Sequence, residues 1–510
     1  MENLLNIVLF LPLLSALLLC GNIIHVKFAK IYAIAVSIIE LILALMIWYL
    51  FDTSNVENGF RFVNQVDIIS SIGFSYFVGI DGISLFLVLL SVFMTLISII
   101  YLNNVDKIKH FLVSLLILES VMIGVFIALD VMLFYIFWEF SLIPMLYIIG
   151  AWGGEKKLYA AIKFFLYTFS ASLLMLFGIL CCAYLHYSLT GKWSFSIIDW
   201  YRFLNIGLDK QQILFIAFFI GIAVKVPMFP FHTWLPYAHG QAPSVGSIIL
   251  ASILLKMGSY AFIRFSLPLF PDATISFILP IAILCVIMVI YTSMIAYVQN
   301  DMKQVIAYSS IAHMGVIVLG TFALNVEGIS GSIFFMLSHG IISGALFLMV
   351  GILYDRTHTK LIKDYGGIAS VMPRFTIIFV IALMGSVGLP LTMGFVGEFL
   401  SLLGFFNVNV IIALLAGSSI IVGAVYMLNL FRNVFLGNIT NPKNKELQDI
   451  NLREKIALIP LVCIIIWLGI YPKAVLDKID VAANEVVALT YNRAILNESK
   501  DFILKVNRRD

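Results

Sequence analysis

Long apolar runs alternate with short polar connections along almost the whole chain. A transmembrane helix needs about 20 apolar residues to cross a hydrocarbon core of about 30 Å. The runs are near this length, so we predict an all-α polytopic membrane protein. The pattern gives about fourteen transmembrane helices, at 4–19, 30–51, 77–101, 111–129, 131–151, 159–187, 213–235, 244–266, 274–298, 304–324, 330–353, 375–406, 409–433 and 456–472.

The run 213–235 contains the first clear break in the apolar pattern. Lys225 follows ten nearly unbroken apolar residues and is followed closely by Pro227 and Pro230. Proline lacks an amide hydrogen and its ring clashes with the preceding turn. We expect these prolines to break the helix and to free carbonyls of the preceding turn, which must find partners inside the protein at membrane depth.

A second break lies in the run 375–406, where glycines and Pro390 precede an ionisable residue, Glu398. The two interrupted runs are five apart in order, and such pairs indicate inverted repeats with a site near the membrane midplane. We therefore predict two inverted five-helix repeats and two interrupted helices. The predicted parts are helices 1–3 (1–109), a first repeat with helices 4–8 (110–270), a second repeat with helices 9–13 (271–435), and a last transmembrane helix with an amphipathic tail (436–510).

Composition supports the membrane prediction. Hydrophobic residues make up 62% of the chain and charged residues only 12%, with a mean hydropathy of +1.06, far from the charged fraction of about a quarter in soluble domains. The net charge of +3 is dispersed over short loops, which argues against a nucleic-acid partner. The five cysteines lie in apolar runs without a CxxC pair, so we expect small buried hydrophobes.

The distribution of basic residues predicts an orientation. Lysine and arginine are denser in the loops after spans one, three, five, nine, eleven and thirteen than in the alternate loops. Because basic loops stay on the cytoplasmic side, we expect both termini and the long connections 52–76 and 188–212 on the outer side.

Ionisable side chains inside the predicted spans are the candidate functional groups. A charged residue at a helix centre costs about 2.5–3.5 kcal/mol on insertion scales, and such residues usually mark an ion path or a partner. Spread over separate helices, they are able to form a row of titratable sites. The candidates are Glu139, Lys225, Lys256, His313, His339 and Glu398, with Glu119 and His232 as accessory candidates.

Each candidate also has a structural interpretation. Lys225 could snorkel to the interface, a histidine taken alone is more often a satisfied core residue, and Glu139 and Lys256 could belong to static buried ion pairs. The chain has no metal-ligand spacing such as HExxH, and no GxGxxG, Walker, haem or iron–sulfur pattern. We therefore expect no redox cofactor on this chain.

Six separated strings carry a family resemblance, in the family order. They are VGIDGISLFLVLL, DVMLFYIFWEFSLIPM, AVKVPMFPFHTWLPYAHGQAPSVGS, LLKMGSYAFIRF, NDMKQVIAYSSIAHMG and MGFVGEF, and they extend from about residue 77 to 435. The chain resembles the antiporter-like proton-channel subunits of respiratory complex I. Within them it is most similar to the M-type subunits, called chain 4 in mitochondria, because Glu398 stands where the sister subunits have lysine and no long lateral-helix extension follows the last span.

The resemblance implies a proton-translocating subunit of NADH:quinone oxidoreductase in a bacterial inner membrane. It implies that Glu139 and Lys225 form a coupling pair, that Lys256, His313 and His339 carry protons laterally, and that Glu398 serves the exit side. NADH, FMN, iron–sulfur clusters and quinone would then lie on partner subunits, and the neighbours in the bilayer would include the L-type and N-type subunits.

Two other functions remain open from the sequence. The nearer one is a subunit of a multisubunit Na⁺/H⁺ antiporter or of a membrane-bound hydrogenase, which share this fold and many of these strings. The more distant one is a secondary transporter that works alone, although no span contains an evident pocket for an organic substrate.

Overall fold

A computed structural model of the protein describes residues 3–21, 23–53, 59–103 and 105–506, with side chains up to residue 494. The end of the predicted tail, 507–510, lies outside the described residues, as do residues 1 and 2.

The N-terminal part contains four long helices and one β-hairpin. They are α1 (Leu4–Cys20), α2 (Val26–Leu50), β1 (Arg61–Ile69), β2 (Phe74–Ile80), α3 (Gly82–Tyr101) and α4 (Ile108–Ile127). The hairpin is antiparallel, and it corrects the start of the third predicted span, 77–101, because 77–80 belong to β2. The helix starts only at Gly82, where the Asp81 side chain accepts hydrogen bonds from the backbone N–H groups of Ile83 and Ser84 as a typical N-cap.

The next part contains the first interrupted helix and a long central rod. Its helices are α5 (Val131–Phe140), α6 (Leu142–Trp152), α7 (Lys157–Thr190), α8 (Ile197–Phe203), α9 (Leu208–Lys225), α10 (Trp234–Gln241), α11 (Ser244–Ile249), α12 (Leu255–Ala261) and α13 (Leu267–Leu269). Two π-helical turns, Leu250–Leu254 and Phe262–Ser266, join the last three helices into one rod, Ser244–Leu269. The rod is buried over almost its whole length.

The remaining helices include the second interrupted span. They are α14 (Pro271–Tyr297), α15 (Met302–Thr321), α16 (Val326–Thr357), α17 (Ile368–Val371), α18 (Pro373–Ser386), α19 (Met393–Phe406), α20 (Val410–Phe435), α21 (Leu452–Ile470) and α22 (Lys473–Val506). Helix α22 turns by 67° from α21 and packs across α3 and α16.

The predicted spans agree with these helices. Within the described residues, ten helices are long and apolar enough to cross a membrane by themselves. The other four predicted spans coincide with α1, with α9 and its break, with the pair α18 and α19, and with α21. The structure is therefore consistent with the prediction of about fourteen spans.

Both predicted breaks are present, and the same kind of backbone hydrogen bond spans each of them. Helix α9 ends at Lys225, and the Met228 N–H donates to the Ala223 carbonyl at 2.7 Å. Helix α18 ends at Ser386, and the Leu389 N–H donates to the Met384 carbonyl at 3.0 Å. Both bonds reach back five residues rather than the four of an α-helix, so these carbonyls keep a partner at membrane depth.

The two ionisable residues at the breaks do not occupy equivalent places. Lys225 is the last residue of the helix before its break, whereas Glu398 lies in α19, after the break that contains Pro390. Both residues are close to glycine or proline in the sequence, and this closeness does not determine on which side of the break a side chain lies.

Candidate functional site

The first group of candidate residues surrounds the end of α9. The Lys225 ammonium donates a hydrogen bond to the Ser141 hydroxyl at 3.1 Å and lies 5.1 Å from the centre of the Trp138 ring. Lys225 is only 2% exposed, so it does not snorkel to an interface. Its charge is held inside the protein by a hydroxyl and an aromatic face.

Glu139 lies on α5, two residues before the Ser141 that binds Lys225. The hydroxyls of Tyr135 and Ser172 lie beside its carboxylate, and Lys225 interacts with it electrostatically. The direct ion pairs between described side chains do not include Glu139 with Lys225. Glu139 and Lys225 therefore interact without a direct ion pair, and the Lys225 ammonium donates its hydrogen bond to Ser141.

A glycine brings the central rod against the first break. A side-chain carbon at Gly258 would lie 2.7 Å from a Val226 methyl and 3.1 Å from the Val226 nitrogen, distances that another residue would not fit without a shift. The absence of a Cβ thus allows α12 to pack directly on the residue after Lys225. Lys256 lies on α12, two residues before this contact.

Lys256 links the central rod to α16 in the buried interior of the protein. Its ammonium donates to the Ala251 carbonyl at 2.5 Å and to Nδ1 of His339 at 2.6 Å. Ala251 lies in the π-helical turn Leu250–Leu254, a widened turn that is frequent at functional sites. Lys256 is 0% exposed, so its partners are a backbone oxygen and an imidazole rather than the carboxylate of a static ion pair.

His339 continues this contact toward α15. Its ring centre lies 5.5 Å from that of His313, and both imidazoles line one small cavity that reaches Gly385 and Ser386 at the second break. The volume of this cavity is about 10 Å³, which is room for about one water molecule. The Lys256 and histidine group therefore extends to the end of α18.

Glu398 lies on the other side of the same break. The Ser419 hydroxyl donates to its Oε1 at 3.1 Å, and its Oε2 lies only 2.9 Å from where a side chain at Gly388 would begin. Tyr426 interacts with Glu398 and also with Ser309, which precedes His313 by one helical turn. Tyr426 thus interacts both with Glu398 and with a hydroxyl one turn from His313.

Comparisons with known proteins identify the family of the chain. Residues 128–423, more than half of the chain, match the family described as NADH:quinone oxidoreductase/Mrp antiporter, TM. The chain is 47% identical over 479 residues to NADH-quinone oxidoreductase subunit M of Rickettsia prowazekii (strain Madrid E), covering 92% of this chain and 96% of that protein. The chain belongs to this family. The resemblance to M-type subunits found in the sequence is confirmed.

More distant relatives carry the corresponding mitochondrial name. The chain is 42% identical over 487 residues to NADH-ubiquinone oxidoreductase chain 4 of Arabidopsis thaliana, covering 93% of this chain and 97% of that protein. Its fold matches a chain in respiratory complex I from Thermus thermophilus with bound NADH, with a TM-score of 0.87 and 27% identity over 95% of this chain and 99% of the other. A chain of the Mrp complex from a Dietzia species has the same fold at a TM-score of 0.82, with 18% identity over 97% of this chain and 99% of that chain.

Two further buried ionisable side chains, His239 and Lys303, are not among the candidates from the sequence. His239 is 0% exposed, stacks on the Phe347 ring at 4.5 Å and interacts with both Lys256 and Lys303. Lys303 is 3% exposed and donates to the Ala242 carbonyl at 3.0 Å. His239 lies in the string around the first break, and Lys303 lies between the predicted spans 274–298 and 304–324. The sequence pattern therefore does not show that both are buried.

The two accessory candidates lie away from this group. His232 packs beside Phe229 and Tyr291, and its Nδ1 has no hydrogen-bond partner among the described residues. Glu119 is buried on α4 and faces Glu40. In the described part of the chain, no group of three or more histidine, cysteine, aspartate or glutamate side chains is placed to hold a metal ion.

Proposed function

We propose that this chain moves protons as the M-type membrane subunit of an NADH:quinone oxidoreductase. The observation that carries the proposal is the contact of Lys256 with His339, at the start of a buried series that continues through His313 toward Glu398. An imidazole accepts a proton on one nitrogen and releases one from the other. His339 can therefore take a proton from Lys256 on Nδ1 and release one from Nε2 toward His313.

Glu139 and Lys225 supply the coupling in this proposal. Two unit charges 4 Å apart interact by about 4 kcal/mol at an effective dielectric constant of 20. Moving one charge against a membrane potential of 100 mV costs about 2.3 kcal/mol. A movement of Glu139 toward or away from Lys225 changes the energy of the ammonium by enough to drive a proton, and the Ser141 contact gives Lys225 a second, neutral partner.

The redox chemistry belongs to other subunits in this proposal. NADH, FMN, iron–sulfur clusters and quinone are assigned to partner chains, and the flanking partners in the bilayer are the L-type and N-type subunits. The location is a bacterial inner membrane, with both termini on the outer side as the basic loops predict. Exposed apolar side chains on α2, α7, α14 and α20 support lipid or neighbouring helices as their surroundings.

The proposal is tested on the native complex that contains this chain. We expect the purified complex to oxidise NADH with a quinone and, in sealed vesicles, to transport protons without a requirement for sodium. A complex that exchanges sodium for protons and does not oxidise NADH would instead assign the chain to a multisubunit antiporter. A chain purified alone that transports a solute would contradict both assignments.

A further inference from the structure

Two carboxyl groups meet between α2 and α4, outside the group described above. Glu40 lies near the middle of α2 and Glu119 near the middle of α4, and both side chains are 0% exposed. Helices α2 and α4 pack against each other, and the two carboxyl groups interact across this contact. Both are therefore far from either membrane surface and enclosed by protein.

Among the described residues, neither carboxyl group has a cation or a hydrogen-bond donor beside it. In the part of the chain that the structure describes, no hydrogen-bond donor reaches any of the four carboxyl oxygens, and none of the ion pairs involves them. The charged group that interacts with each of them is the other carboxyl. The Ser37 hydroxyl, one turn before Glu40 on α2, is also buried without a partner.

The described elements that surround the pair supply no counter-charge. Helices α1, α3, α5, α6 and α12 and strand β2 pack against α2 or α4. Their titratable side chains do not appear among the interactions of either carboxyl group in the described residues; these are Cys20, Tyr76, Tyr101, Tyr135, Glu139, Tyr147, Lys256 and Tyr260. The nearby hydroxyls of Ser91 and Ser120 donate to the carbonyls of Leu87 and Leu9, so they do not reach the pair.

Two ionised carboxylates are not stable in such a place. An isolated buried charge is strongly unfavourable, and two adjacent carboxylates without a cation cannot both ionise. A proton between them removes one charge and converts the contact into an O–H···O⁻ hydrogen bond, which is among the strong ones. We propose that Glu40 and Glu119 form a proton-binding site in the N-terminal helices, separate from the lysine and histidine series.

A proton suits this site better than a metal cation. Hard cations take six or more oxygen ligands, and the described residues contain no cluster of three or more acidic, histidine or cysteine side chains. The pair thus holds at least one buried proton near the middles of α2 and α4. The proposal does not depend on the proposed function, because it follows from the surroundings of the two carboxyl groups alone.

Infrared spectroscopy of the assembled complex tests the proposal. We expect wild type at neutral pH to show a carbonyl-stretch band of a protonated carboxylic acid that moves to lower frequency in D₂O. This band should be lost in the double variant Glu40→Gln with Glu119→Gln and retained in Glu155→Gln, which changes an exposed loop carboxylate. The absence of a difference between wild type and the double variant would overturn the proposal, as would a wild-type acid band that disappears when sodium is added.

A smaller substitution keeps the test decisive if the double variant does not assemble. Glu119→Asp retains an acid but withdraws it by one methylene, which lengthens its hydrogen bond to Glu40. We expect the acid band to shift in this variant. An unchanged spectrum would place the proton elsewhere and would also overturn the proposal.

Discussion

The Lys225 ammonium lies close enough to the Glu139 carboxylate to interact with it electrostatically. It is buried, contacts Ser141 and interacts with Glu139 without a direct ion pair. Glu139→Gln removes the charge but keeps the shape, and Lys225→Ala removes the ammonium, so we expect each to lower proton transport and quinone-linked turnover together, by about tenfold or more. Loss of a positioned proton-transfer group typically costs a factor on the order of a hundred.

The controls change the same residue types outside the membrane. Glu155→Gln and Lys192→Ala remove exposed loop charges and should leave turnover and proton transport close to wild type. The amount of assembled complex is measured for every variant. Full turnover and full proton transport in an assembled Glu139→Gln or Lys225→Ala complex would remove these residues from the coupling mechanism.

Glu398 is either a proton carrier or a residue with only a structural role. Two substitutions at this position are expected to give opposite results under these two interpretations. Its carboxylate accepts a hydrogen bond from the Ser419 hydroxyl, and none of the ion pairs between described side chains includes it. A carboxylate without a cation suits a proton carrier better than a static pair. We expect Glu398→Gln to lower proton transport by about tenfold or more, and Glu398→Lys to retain part of it because lysine is titratable.

Both variants are compared for proton uptake and for the amount of assembled complex. If Glu398 had only a structural role, the neutral glutamine would be tolerated, and the lysine would destabilise by several kcal/mol through an unpaired buried charge. Normal proton uptake in the glutamine variant would therefore exclude Glu398 from the path.

The two interrupted helices, α9 and the pair α18 and α19, hold Lys225 and Glu398 close to their breaks. In both of them a carbonyl before the break accepts from an N–H five residues later, and the small cavity beside His313 ends at the second break. Alanine at Pro227 or Pro390 restores an amide hydrogen and lets the helix extend. We expect Pro227→Ala and Pro390→Ala to lower proton transport by more than they lower assembly.

A proline in an unbroken helix is the matched control. Pro280 lies inside α14 and is exposed, and Pro280→Ala should leave proton transport close to wild type. Equal proton transport in all three assembled variants would show that the breaks are not needed for the path.

On the scale of the whole molecule, three parts of the chain that are distant in sequence meet around one buried ion pair. Arg264 at the end of the central rod lies 2.6 Å from Asp81 at the start of α3, and α22 packs so closely here that a side chain at Gly82 would collide with the Lys478 carbonyl. Breaking a buried pair by removing one partner costs about 3–5 kcal/mol. We expect Arg264→Gln to reduce the amount of assembled complex and its thermal stability.

The second half of a double-mutant cycle separates charge from packing. Combining Asp81→Asn with Arg264→Gln leaves no unpaired charge, so the double variant should recover part of the stability lost by Arg264→Gln alone. A double variant as unstable as the sum of the two single variants would show that the ion pair itself is not what joins these helices.

The positions of most spans and of both breaks could be predicted from the sequence. An apolar run of about 20 residues is enough to cross a membrane, and a proline interrupts a helix through its own ring and its missing N–H; both effects are local. The same reasoning missed the strand at 77–80, because an apolar segment of that length suits a strand as well as a helix. There the N-cap at Asp81 and the pairing with β1 decided the outcome.

Which ionisable groups meet was decided only by the tertiary structure. Lys256 and His339 are 83 residues apart in the chain, Lys225 contacts Ser141 rather than Glu139, and Glu40 faces Glu119. Hydropathy determines that a charge lies at membrane depth, but its partner depends on helix rotation and on how closely two helices approach. The close approach at Gly258 helps to fix these quantities, because it arises only when separate helices pack against each other.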